Sequence, residues 1–179
     1  MKTCLTYGFT SALGLAFLTL GFFFLGFHSD AAKLASTQWI STLGGMAISV
    51  TCLVLGIRAR RAETPAEQDF GYGRAVGAGA LVTLFSVLFS SVLNGLYTLV
   101  VNPEIGEIMV QAQVAAMHAQ GIKGEAVEAA EKIMRVVMHP LLQAIISIVG
   151  GMIGGTIISL IAAIFLRRKG ITPISDAGA

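Results

Sequence analysis

The residues with most to offer chemically inside an apolar stretch are Asn94, flanked by Ser90, Ser91 and Gly95, with Thr98 just beyond. A carboxamide among hydroxyls is a poor nucleophile and carries no charge, but it donates and accepts hydrogen bonds. Two readings follow: an interhelical hydrogen bond, or the wall of a wet path. A second pattern is GGMIGG at 150–155, where Gly150 and Gly154, and Gly151 and Gly155, form two overlapping small-residue frames. Glycines four apart strip side chains from one helix face, so that another backbone approaches closely. That partner helix belongs either to this chain or to another subunit. Gly73 and Gly77, with Gly79 beyond them, repeat the device, and Gly44 and Gly45 form a further pair.

Other chemistry is sparse. His28 and His139 are conceivable ligands for a metal, haem or pigment, but no paired spacing supports one. No nucleophile–base signature, phosphate loop, dinucleotide fingerprint or zinc motif is present. The expectation is a non-enzymatic protein with no cofactor and no metal.

The elements that must hold these residues are plain from charge distribution. The chain has 179 residues, 55% hydrophobic and only 12% charged, about half the charged fraction of a soluble domain. Asp, Glu, Lys, Arg and His are absent from four segments, 6–27, 37–57, 75–101 and 141–166. Each reaches the roughly 20 residues that cross a bilayer core. The expected fold is therefore all-α: a polytopic membrane protein with four transmembrane helices in one domain. The first segment is longer than a secretory h-region and lacks a clear cleavage site, although AAKLAS at 31–36 comes nearest. Its length favours a retained helix. No ionisable group lies in the middle of any span, which argues against proton- or ion-coupled transport.

Orientation follows from the basic residues. With the N-terminus inside, Lys2, Arg58, Arg60, Arg61, Arg74, Arg167, Arg168 and Lys169 are inside, and Lys33, Lys123, Lys132 and Arg135 are outside. That asymmetry places both termini in the cytoplasm. A net charge of +2 made of membrane-flanking residues does not suggest nucleic-acid binding. Cys4 and Cys52 then sit on a reducing side, where a disulfide is not expected.

The linker at 58–74 is too short for a domain. Its end, DFGYGRA, reads as an approach to the membrane. Tyr72 sits at headgroup level, Arg74 snorkels to phosphates, and Gly71 and Gly73 let the backbone turn. Arg167 and Arg168 anchor the last helix in the same way. The outer segment, 103–139, starts a helix with Asn102 as cap and is interrupted by GIKG. It resumes from Glu125 to Met138 as an amphipathic helix with Val127, Ala130, Met134 and Val137 on one face. Glu128–Lys132 and Glu131–Arg135 are favourable pairs, and Pro140 is a first-turn residue or a kink. This segment lies on the outer leaflet, caps the bundle or meets a partner. The two halves also show a faint parallel repeat: Tyr7-Gly8 and Tyr72-Gly73, then Gly44-Gly45-Met46 and Gly150-Gly151-Met152.

With four spans and both ends inside, DFGYGRAVGAGALVTLF, VNPEI and HPLLQAIISIVGGMIGGTIISLIAAIFLRRK make the chain resemble the bacterial membrane proteins of domain of unknown function 4199. Gly71, Gly73, Gly77, Asn102 and Pro103 match that pattern, while Val76 stands where an aromatic residue is expected. The resemblance implies a bacterial cytoplasmic (inner) membrane protein and brings no activity with it. The expected function is an accessory or scaffolding subunit that packs through its glycine faces. The alternative is a small oligomeric transporter or channel with Asn94, Ser90, Ser91 and Thr98 along its path. The expected partners are the lipid bilayer and either further copies of the chain or a larger membrane complex.

Overall fold

The computed structural model describes residues 1–170. The helices are α1 (Lys2–Phe24), α2 (Ala31–Ala62), α3 (Tyr72–Leu96), α4 (Ile105–Ala119), α5 (Glu125–Val137) and α6 (Pro140–Leu166), with a π-helical turn, Tyr97–Val101, continuing α3. Four of them, counting α3 with its π turn, are long and apolar enough to cross a membrane. α3 packs most extensively against α6 and α1, and α2 lies along α1 while also touching α3 and α6. The two bundle ends are unlike: one carries the α2–α3 linker (the linker end), the other the α4–α5 hairpin (the hairpin end).

The helices overrun the four expected segments at both ends of α2. The Asp30 carboxylate accepts the Lys33 backbone N–H at 2.8 Å, so α2 starts at Ala31 and takes in the AAKLAS stretch. A residue that satisfies an orphan N–H at the first turn fixes where a helix begins. Pro140 is a first-turn residue of α6. Gly121 and Gly124, at φ +82° and +69°, make the break in GIKG that the sequence predicts.

The core sits toward the linker end. Leu53, Ile57, Ala75, Ala78 and Ala163 are buried together with Phe70, which comes from the linker. Ile57 is 0% exposed. Phe70 is held there by a short backbone bridge, its N–H donating to the Arg168 carbonyl and the Arg168 N–H donating back, both at 2.9 Å. The Arg168 guanidinium donates to the carbonyls of Thr64 and Pro65, at 2.8 and 2.9 Å.

The anchor residues of this end also bond within the chain. Arg74 donates to the Asp69 carbonyl at 2.9 Å, and the Tyr72 hydroxyl donates to the Leu160 carbonyl of α6 at 3.2 Å while the residue stays 41% exposed. Arg168 is a clasp on the linker. Gly71 caps α3 at φ −68°, a conformation open to any residue, so the turn does not depend on glycine there.

Candidate functional site

α3 and α6 run antiparallel along a small-residue seam. Gly79 lies against Ser159, Thr83 against Gly155, and Val87 against Gly151. Each four-residue step along α3 is matched by four back along α6, which is how two helical faces keep register. A Cβ on Gly151 would lie 2.5 Å from Val87 Cγ1, and one on Gly155 would overlap the Thr83 side chain. Of the two frames in GGMIGG, Gly151 and Gly155 grip α3, whereas Gly150 and Gly154 meet nothing within 4 Å. Gly73 and Gly77 also face open space, and Gly44 and Gly45 meet Leu18 and Leu15 of α1. Between membrane helices, Gly8 of α1 also approaches backbone closely: a Cβ there would stand 2.9 Å from both Ser86 N and Val82 O. Beside it Ser86 donates to Ser11 at 3.0 Å.

Extended outward, the seam's register sets Ser91 opposite Ser147 and Gly95 opposite Gln143. There the helices enclose a chamber of about 910 Å³ that all four residues line. Its floor is the Thr83–Gly155 layer, and Tyr97, Thr98 and Pro140 stand at the hairpin end. Ser90, Ser91 and Asn94 line it from α3, and Ser11, Thr19 and Ser49 line it from α1 and α2. Among the described residues, its lining includes no Asp, Glu, Lys, Arg or His. A smaller cavity of about 240 Å³ under the hairpin shares Thr98, Pro140 and Gln143 with it.

Several of these polar groups have no partner. The hydroxyls of Thr83, Ser90 and Ser91 are buried with no hydrogen bond, and Thr83 is only 7% exposed. Protein interiors rarely leave hydroxyls so, because each orphan group carries its desolvation penalty. Asn94 is exposed and makes no interhelical hydrogen bond among the described residues. Thr98 is satisfied within its own helix by the Gly95 carbonyl at 3.1 Å.

At the hairpin end lies a polar cluster that sequence reasoning missed. Tyr97 is 6% exposed, and its hydroxyl is 2.5 Å from His28 Nδ1. Asn102 donates to that hydroxyl and to the His28 carbonyl, both at 3.3 Å. The Tyr97 oxygen thus accepts from Asn102 and shares a second hydrogen bond with His28 Nδ1, which ties the three residues together. Burial lowers the His28 pKa from its ordinary value of 6.5, which favours the neutral form. Asn102 is thus a cross-link and not the expected cap of α4, whose cap position is Glu104. The π turn ends with the Asn102 N–H on the Tyr97 carbonyl at 2.8 Å. Such wide turns often mark functional positions. The one signal available was an aromatic residue five before an Asn-Pro pair.

Over this end, Arg135 of α5 makes a two-pronged pair with Glu107 of α4, at 2.6 and 2.9 Å, and reaches Glu131 at 2.9 Å. Arg135 pulls the Glu107 pKa below the ordinary 4.5. Glu131–Arg135 forms as the spacing predicts; among the described residues, no ion pair joins Glu128 and Lys132. Val127 is buried, and Ala130, Met134 and Val137 are half-buried beneath the hairpin. His139 is exposed at the start of α6. Among the described residues, no cluster of three His, Cys, Asp or Glu side chains could hold a metal ion, and Cys4 and Cys52 are free thiols.

Neither a curated protein nor a solved structure matches the chain. A family model does, over residues 6–168, and it is the one whose pattern the glycines of the third helix resemble. The chain belongs to the DUF4199 family of proteins of unknown function.

Proposed function

We propose that the chain is a non-enzymatic integral membrane protein that takes an uncharged small molecule into the chamber between its membrane helices, as a carrier or binding subunit. The observation that carries this reading is that Thr83, Ser90 and Ser91, which line a space of about 910 Å³, hold buried hydroxyls with no partner. A chamber with no role is expected to collapse or to pair its polar groups, because an orphan hydroxyl in a low-dielectric interior is costly. Its packed floor favours a binding site over an open pore. The basic residues gathered at the linker end favour the cytoplasmic membrane of a bacterium with that end inside.

A second reading, an accessory or scaffolding subunit, draws support from Gly73, Gly77 and Gly150. They leave small-residue surfaces that no helix of this chain covers.

One experiment addresses both. The full chain is extracted in mild detergent, and the mass and composition of the native particle are determined together. The proposal expects a small uncharged molecule that is lost in Ser91→Phe, which intrudes into the chamber. Stoichiometric foreign polypeptides with no such molecule would favour the accessory reading, and a bare chain would overturn both.

A further inference from the structure

We propose that the ligand of the chamber is an uncharged amphiphile, with a hydroxyl-bearing head on the α3 hydroxyls and an aliphatic body along the apolar walls. This rests on the chamber reading above and names its ligand class.

Charge is decided by what the walls lack. Among the described residues, no cationic or anionic side chain lines the space. A carboxylate, phosphate or ammonium taken there would lose its hydration without a counter-charge, which a low-dielectric interior penalises heavily. The head is decided by what the walls offer. Thr83, Ser90 and Ser91 line the space and carry buried hydroxyls whose donor and acceptor capacity is unspent. Gln143 and Ser147 face them across the seam's register. Alcohol groups match such a surface because each both donates and accepts. The body is decided by the aliphatic part of the lining, which includes Leu15, Leu20, Leu53, Val82, Val87 and Ile158.

Size and access agree. The volume of about 910 Å³ is near the upper end of the roughly 300–1,000 Å³ typical of small-molecule sites. At the linker end the space is closed by the Gly79–Ser159 and Thr83–Gly155 contacts and by Ile57 and Ala163, both fully buried. Toward the hairpin end, by contrast, Asn94 and Ser147 are exposed as well as lining it. A molecule already dissolved in the bilayer reaches such a site from the side, body first into hydrocarbon-like surroundings.

The test uses the full-length protein in nanodiscs and radiolabelled 1-monooleoylglycerol as probe. Oleate, with the same chain and an anionic head, is the competitor. The expected result is saturable binding that unlabelled monooleoylglycerol displaces at least about tenfold better than oleate. Thr83→Val, Ser90→Ala and Ser91→Ala together weaken binding by at least about tenfold, as loss of two or three hydrogen bonds would. They leave the unfolding temperature unchanged or raised; should that triple variant fail to fold, Ser90→Ala with Ser91→Ala alone serves. Non-saturable uptake, equal displacement by oleate, or full binding by the variants overturns the assignment. If the purified particle carries a molecule that Ser91→Phe expels, yet monooleoylglycerol does not bind, the ligand class falls while the chamber reading stands.

Discussion

The two ends of this bundle are built from the same helices by opposite means. At the linker end, glycines and alanines bring α3 and α6 together, and Phe70 is inserted from outside the membrane segments to complete the core. At the hairpin end the same two helices carry Ser91, Asn94, Gln143 and Ser147 at the facing positions, and the space between them is open. Hydrophobicity does not distinguish the ends, because lipid is as apolar as leucine. The size of the facing residues and the polarity of their tips do. One end is built for stability and the other keeps hydrogen-bonding capacity in reserve.

The largest effects are expected where the packed end is broken. Phe70→Ala removes a ring that is 3% exposed and should cost about 3–5 kcal/mol, read as a lower midpoint in denaturant unfolding in mixed micelles. Gly155→Leu drives a side chain into Thr83 and should cost roughly 1–3 kcal/mol or more, while Gly150→Ala, which meets open space, should be neutral or slightly stabilising. Equal losses at Gly150 and Gly155 would erase the distinction between the two glycine frames.

The hollow end should respond with the opposite sign. Ser90→Ala with Ser91→Ala removes hydroxyls that have no partner, so unfolding midpoints should stay or rise. A clear fall would mean that these groups are satisfied in the native protein. The smallest effect belongs to the hairpin. Arg135→Ala should speed amide exchange in α5 without moving the unfolding midpoint of the bundle, and high salt should mimic it, since exposed pairs are screened. For Glu107 the folded pKa is depressed, so the stabilisation is full above the unfolded value of 4.5 and is lost as pH falls through the folded one. Protection of α5 should therefore hold from neutrality to about pH 5 and fade below it; fading near pH 7 would point to another group.

Much of this architecture was legible in the sequence because the bilayer constrains it so strongly. A run without charge long enough to span leaves a helix as the way to satisfy its backbone. The glycine frames were legible as a motif, but which member of each pair faces α3 depends on helix rotation, and local sequence does not encode that. Phe70 was hidden because a linker residue gives no periodicity from which burial can be read. The contact of His28 with Tyr97 and Asn102 was hidden because it joins residues some seventy apart in the chain, and the π turn that aims Tyr97 has no propensity signature. Ser90, Ser91 and Asn94 stood out as polar residues in a span. That α6 recedes from them, leaving a space, is a property of the helix pair.

The most direct test of the packed-and-hollow account is alkylation by N-ethylmaleimide of Asn94→Cys and of Ala78→Cys in the detergent-solubilised protein, with Cys4 and Cys52 replaced by alanine. The thiolate is the reactive species and needs water to form; Asn94 is exposed at the open side of the chamber, whereas Ala78 is 6% exposed. The account predicts ready modification at position 94 and protection at position 78. Similar rates at the two positions, or protection at both, would contradict it.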